Sequence, residues 1–170
     1  MPNSRRQYAR LRSFIHPRYW PTWLGIGGMW LTARLPFSIQ LGMGKLLGML
    51  AFHFARGRRH ICETNLRLCF PELSERELQQ LLRKTFESNG IGFVEIVIAW
   101  SGNPERYQHL ANFHGLDNLE AAAAQGKGVL LIGPHLTTFE MAGFLYSGVG
   151  ELNATYRAND KNPLFDAFMF

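Results

Sequence analysis

Four consecutive apolar residues, Val129, Leu130, Leu131 and Ile132, run from Gly128 into Gly133-Pro134 and deliver His135, which Glu140 follows five positions later. A short continuous apolar run bounded by glycine and proline predicts a strand buried on both faces, in a partly parallel sheet. That run commits the chain to an α/β layout. Thr137 with Glu140 three residues on fits a capping box, and apolar Phe139, Met141, Phe144 and Leu145 follow, so a helix is expected just after the strand. His135 then lies in the strand-to-helix turn.

Two residues five apart inside one helix sit about 140° around its axis and do not touch. With His135 outside the helix and Glu140 in its first turn, they can meet. A neutral imidazole takes a proton from a hydroxyl nucleophile, while a carboxylate on its other nitrogen fixes the tautomer and stabilises the imidazolium. The chain holds no Gly-x-Ser-x-Gly elbow, so the expected nucleophile is a substrate hydroxyl. A plainer reading exists: Glu140 as a capping carboxylate and His135 as a partner of the turn backbone. The spacing alone does not separate the two.

The 170 residues suit a single domain of ordinary size and carry a net charge of +5. The basic excess is clustered at Arg5, Arg6, Arg10, Arg12 and Arg18, then at Arg56, Arg58 and Arg59. Such clusters suit anionic lipid surfaces, acidic proteins or nucleic acid, or are simply a solvated face. Between them, Tyr19 to about Ala55 is largely apolar. No charge occurs from Tyr19 to Ala33, where Trp20, Trp23 and Trp30 fall, and Arg34, Pro36 and Lys45 interrupt the remainder. A full span needs about 20 apolar residues, so the first run is slightly short, although Arg34 can snorkel to an interface. Basic residues on both sides give no orientation. A membrane anchor is expected, either a marginal transmembrane helix or a helix lying in one leaflet, against the alternative of a buried core helix. Small-residue cleavage chemistry is absent after the apolar core, which argues against a cleaved signal peptide.

These features divide the chain into a basic N-terminal segment 1–18, a membrane anchor or interfacial helices over 19–55, and a remainder 56–170 that holds the candidate pair. Cys62 and Cys69, seven apart on a helix, would lie about 10 Å apart along it, too far for a disulfide. They read as small hydrophobes in a reducing compartment. No histidine or cysteine shows metal-ligand spacing. Phe70-Pro71 ends one helix, and Ser74 with Glu77 opens a long amphipathic one reaching Trp100. Gly90 and Gly92 inside it predict a kink or close helix packing. Glu95 is either a carboxylate supporting the site or a surface or capping residue.

A brief strand is expected over Ala111–His114, a helix over Leu116–Gln125 ending at Gly126, and a second strand over Leu152–Tyr156. Arg157 emerges where that strand ends, the place where open α/β sheets bind ligands; it meets an anionic group or pairs with Asp160 or Asp166. A further helix begins near Asn162. There is no internal repeat, low-complexity linker or glycine-rich phosphate loop.

Five strings occur in order: HPRYWPTWLGIG from His16, NLRLCFPELSE from Asn65, FESNGIGFVEIVIAW from Phe86, GVLLIGPHLTTFE from Gly128 and YRANDKNPLFD from Tyr156. Together they cover nearly the whole chain, and it resembles the bacterial lipid A late acyltransferases of the lauroyl-transferring type. The resemblance implies an inner-membrane enzyme whose catalytic part faces the cytoplasm. It would move a fatty acyl group from acyl carrier protein to a hydroxyacyl chain of the Kdo-bearing lipid A precursor.

On that basis His135 deprotonates the acceptor 3-hydroxyl, Glu140 holds the imidazole, and the alkoxide attacks the thioester in a ternary complex without an acyl-enzyme. Arg157 and Asn159 become substrate contacts. Acyl carrier protein, the lipid A precursor and inner-membrane lipids are the implied partners; no nucleic acid, metal or further cofactor is.

The implied fold is α/β: an N-terminal membrane-associated helix, further helices, then the first part of a mixed sheet of glycerolipid-acyltransferase type. On the resemblance, 56–170 is a partial acyltransferase catalytic domain. Members of the family are longer, with more strands and more polar site residues after the point where this chain stops. The expectation is therefore an N-terminal fragment whose sheet has an open edge, folding poorly or inactive by itself. Two other functions stay in view: a related acyltransferase with another lipid acceptor, and a noncatalytic membrane-anchored module holding acyl carrier protein or lipid.

Overall fold

The computed structural model describes residues 11–155 and 161–169. Among them are seven α-helices: α1 (Trp20–Thr32), α2 (Phe37–Phe54), α3 (Arg56–Cys69), α4 (Glu75–Ser101), α5 (Leu116–Ala123), α6 (Phe139–Tyr146) and α7 (Pro163–Met169). Short 3-10 turns at Pro17–Tyr19, Pro104–Arg106 and Gln108–Leu110 connect some of these.

Helix α4 is the spine. Its 27 residues start at a complete capping box: Ser74 Oγ accepts from the Glu77 amide, and Glu77 Oε2 accepts from the Ser74 amide at 2.9 Å. Both orphan donors are thereby satisfied at the end expected from sequence. The helix continues unbroken through Gly90 and Gly92, because these glycines serve packing. A Cβ on Gly44 of α2 would come within 2.6 Å of Ile91 Cα, and one on Gly90 within 2.7 Å of Gly48 Cα. The two backbones touch, an approach open only to glycine.

Two apolar clusters flank this contact. Towards the start of α4, Leu82 and Phe86 pack with Phe52 of α2, and Cys62 and Leu66 of α3 lie against them. The Phe52 and Phe86 rings meet edge to face at 5.6 Å. Towards its end, Val94 and Ile98 pack with Tyr107 and with Met141 and Phe144 of α6. Cys62 and Cys69 are free thiols, the first half-buried and the second exposed.

The turn between α1 and α2 is held by side chains. Arg106 donates to the Ala33 and Leu35 carbonyls at 3.1 and 2.8 Å, and Gln40 Nε2 donates to the Thr32 carbonyl at 2.8 Å. These bonds occupy carbonyls that the end of α1 leaves without helical partners. Helix α7 docks on α1 and α4. Asn162 donates to Thr22 Oγ1 at 3.2 Å, Leu164 is fully buried, and the Phe165 and Trp100 rings lie 5.5 Å apart.

Two expectations are corrected. No strand forms among the described residues: 111–114, 129–132 and 152–155 are all irregular. The sheet part of the α/β reading is therefore not found, because an apolar run becomes a strand only when neighbouring strands take up its amides and carbonyls. Leu130 and Ile132 are instead 84% and 88% exposed. The apolar stretch 19–55 is also split, which removes the transmembrane alternative among the described residues. Pro36 restarts the chain after Arg34, leaving helices of 13 and 18 residues, and no described helix is long and apolar enough to cross a membrane. The faces of α1 and α2 away from α4 nevertheless expose Trp20, Leu24, Leu31, Leu46 and Phe54.

Candidate active site

The segment after Pro134 turns sharply. The Leu136 amide donates to the Pro134 carbonyl at 3.0 Å, a γ-turn centred on His135, and the Phe139 amide donates to the Leu136 carbonyl at 3.1 Å. His135 thus sits in the turn before a helix, as its flanking residues predict. The helix starts one residue later than the sequence suggests. Thr138 is the N-cap of α6 and makes no side-chain cap bond, so the Thr137–Glu140 capping box is not formed and the Glu140 carboxylate is left free of that role.

His135 and Glu140 line one open groove of about 360 Å³, together with Leu136, Thr137 and Phe139. The opposite wall is α4, through Asn89, Gly92, Phe93 and Ile96. Gly92 makes the meeting possible: a Cβ there would collide with the Thr137 side chain and lie 3.2 Å from its carbonyl oxygen. The His135 ring stacks on Phe139 at 5.8 Å and 26°, and no described hydrogen bond joins it to Glu140. Both residues are exposed, so water and ligand reach them freely.

On the same helix, Glu95 departs from the surface or capping reading. It neither caps a helix nor lies free on the surface: its Oε2 is buried with no hydrogen-bond partner, and desolvation pushes its carboxyl above the usual carboxylate range. Arg157 and Asn159 lie outside the described residues. Among the described residues no group of three or more metal-binding side chains converges.

Asn89, Phe93 and Ile96 were not singled out by sequence reasoning. Their signal was present as the spacing 89, 92, 93, 96, one stripe along a helix. It was hidden because the neighbouring stripe of α4, through Val94 and Ile98, carries the stronger apolar pattern.

The profile of the family described as "Bacterial lipid A biosynthesis acyltransferase" matches residues 8–170. The chain is 40% identical over 158 residues to the lipid A biosynthesis lauroyltransferase of Escherichia coli strain K12, covering 91% of this chain and 50% of that protein. It is 36% identical over 149 residues to the palmitoleoyltransferase of the same organism, covering 88% and 49%. Against the myristoyltransferase of the same organism identity is 29% over 155 residues, covering 91% and 48%. The chain spans about half the length of the curated relatives it matches. No solved structure matches it significantly. With nearly its whole length inside the match, the chain belongs to the bacterial lipid A biosynthesis acyltransferase family.

Proposed function

We propose that this chain carries the base of an acyl transfer from acyl carrier protein to a hydroxyacyl chain of the Kdo-bearing lipid A precursor. The observation that carries the reading is that His135 and Glu140, brought from a turn and a helix start, line the same apolar groove. His135 removes the proton of the acceptor hydroxyl, the resulting alkoxide attacks the thioester carbonyl, the C–S bond breaks, and the carrier thiolate leaves and takes the proton back from the imidazolium. Glu140 fixes the imidazole and stabilises its charged form once the ring swings off Phe139.

Arg157 and Asn159 are proposed substrate contacts. The exposed apolar faces of α1 and α2, with the basic residues beside them, fit a location against the inner membrane with the groove on the cytoplasmic side.

The test is acyl transfer by membranes containing this chain, supplied with lauroyl-carrier protein and the tetra-acylated Kdo-bearing precursor and read by mass spectrometry of the lipid. The expected product gains one acyl chain, with a loss of about 10²–10⁴-fold in His135→Ala. Transfer that His135→Ala leaves untouched overturns the assignment.

A further inference from the structure

Helix α4 has two apolar stripes, and among the described residues only one is covered. Leu78, Leu82, Phe86, Val94 and Ile98 face the interior and are buried. Phe93 points elsewhere and is 68% exposed, with Ile96 one turn along on the same side and Gly92 beside it. Across the groove stand Leu136 and Phe139, both exposed. Among the described lining residues Glu140 is the one carboxylate and there is no lysine or arginine; the other polar ones are His135, Asn89 and Thr137.

A phosphorylated sugar headgroup needs cations, and none is among the described lining residues. At about 360 Å³ the open groove lies near the small end of the roughly 300–1,000 Å³ that ligand clefts span, a size that suits a single chain.

We propose that the wall formed by Phe93 and Ile96, facing Leu136 and Phe139, seats the single fatty acyl chain of the thioester donor. This assignment rests on the acyl-transfer reading and adds the residues that hold the donor. The base that lines the same groove then lies beside the end of the chain that bears the thioester carbonyl. Covering Phe93 removes apolar surface from water, which is the driving force for seating a hydrocarbon there. The apolar face of α1 at Trp20, Trp23 and Leu24 is the competing place for a chain, and it has no histidine or carboxylate among its lining residues.

The test uses the chain in membranes with a dodecanoyl pantetheine thioester bearing a terminal diazirine. It is photolysed and digested with trypsin, and the labelled peptides are read by mass spectrometry. Label is expected on 85–106 and 128–157, competed by unlabelled dodecanoyl pantetheine and reduced about tenfold in Phe93→Ser, whose exposed position leaves the fold intact. Ile96→Trp is expected to fill the seat and reduce the label in the same way. Label confined to 19–34, label not competed, or label unchanged in both variants overturns the seat. Labelling of 85–106 by a diazirine-bearing tetra-acylated precursor and not by the thioester overturns the assignment to the donor. Because the label needs no turnover, a seated chain that is never transferred leaves this inference standing and counts against the proposed activity. Transfer with label elsewhere overturns the seat alone.

Discussion

Gln40 and Tyr107, 67 residues apart in the chain, meet in the interior, with Gln40 Nε2 donating to Tyr107 Oη at 2.9 Å. The hydroxyl in turn donates to the Ala33 carbonyl at 3.1 Å, and both side chains are fully buried. The bond ties the turn between α1 and α2 to the segment after α4, the same segment that packs on α6 through Phe144. Tyr107→Phe removes the hydroxyl and leaves part of this network unpaired. A loss of about 1–2 kcal/mol is expected, since Gln40 keeps its bond to Thr32 and Ala33 keeps Arg106. Urea denaturation of the two proteins checks it, and an unchanged midpoint refutes it.

Glycines of similar appearance in α2 and α4 should respond oppositely to alanine. Gly90→Ala drives a Cβ to 2.7 Å from Gly48 Cα, a backbone atom that cannot rotate away, so a loss of about 3 kcal/mol or more is expected. Gly42→Ala, also within a helix, meets nothing within 4 Å and should gain up to about 1 kcal/mol of helix propensity. Equal effects at the two positions in thermal melts would show that α2 and α4 are not in contact through Gly90.

Gly92→Ala tests how the groove is assembled. Its Cβ collides with Thr137 Cγ2, the end of a side chain that can shift, so overpacking is partly offset by the helix preference for alanine. A net loss of about 1 kcal/mol is expected, with displacement of the turn that bears His135. Thr137→Ser deletes the colliding methyl, so the double variant should be more stable than Gly92→Ala alone. Strict additivity of the two changes would argue against the contact.

Glu95 should make stability depend on pH. Its folded-state pKa is raised by burial, so the native state binds the proton more tightly than the unfolded chain does. Its contribution is therefore most favourable below the unfolded value, about 4.3, and is lost as pH rises through the raised folded value. Glu95→Gln keeps the shape of the neutral acid and removes this titration. Its melting temperature relative to wild type is expected to rise from pH 4 to pH 7; a difference independent of pH would mean that Glu95 is solvated.

The helices were largely readable from sequence because their signals are local. The Ser74–Glu77 box, the stop at Phe70-Pro71 and the positive φ of 70° at Gly126 after α5 each involve residues within one or two turns. The turn placing His135 just ahead of α6 belongs to the same class, as does the apolar periodicity of α4. The strands were not readable in the same sense. Val129 to Ile132 has the composition of a buried strand, but a strand is completed by partners elsewhere in the chain, and among the described residues none is present. Composition likewise marked Tyr19–Ala55 as apolar without showing that Pro36 would fold it into two helices with α2 pressed on α4.

Sequence alone therefore determined the helical segments, the family strings and the candidate pair His135 and Glu140. Tertiary structure decided what surrounds that pair: the glycine contacts that bring α2 and the Thr137 turn onto α4, the buried bond of Gln40 to Tyr107, and the second stripe of α4 that becomes the groove wall. The physical reason is range. Hydrogen bonds within a helix and its caps reach about four residues along the chain, whereas packing and strand pairing depend on which distant surfaces are brought together.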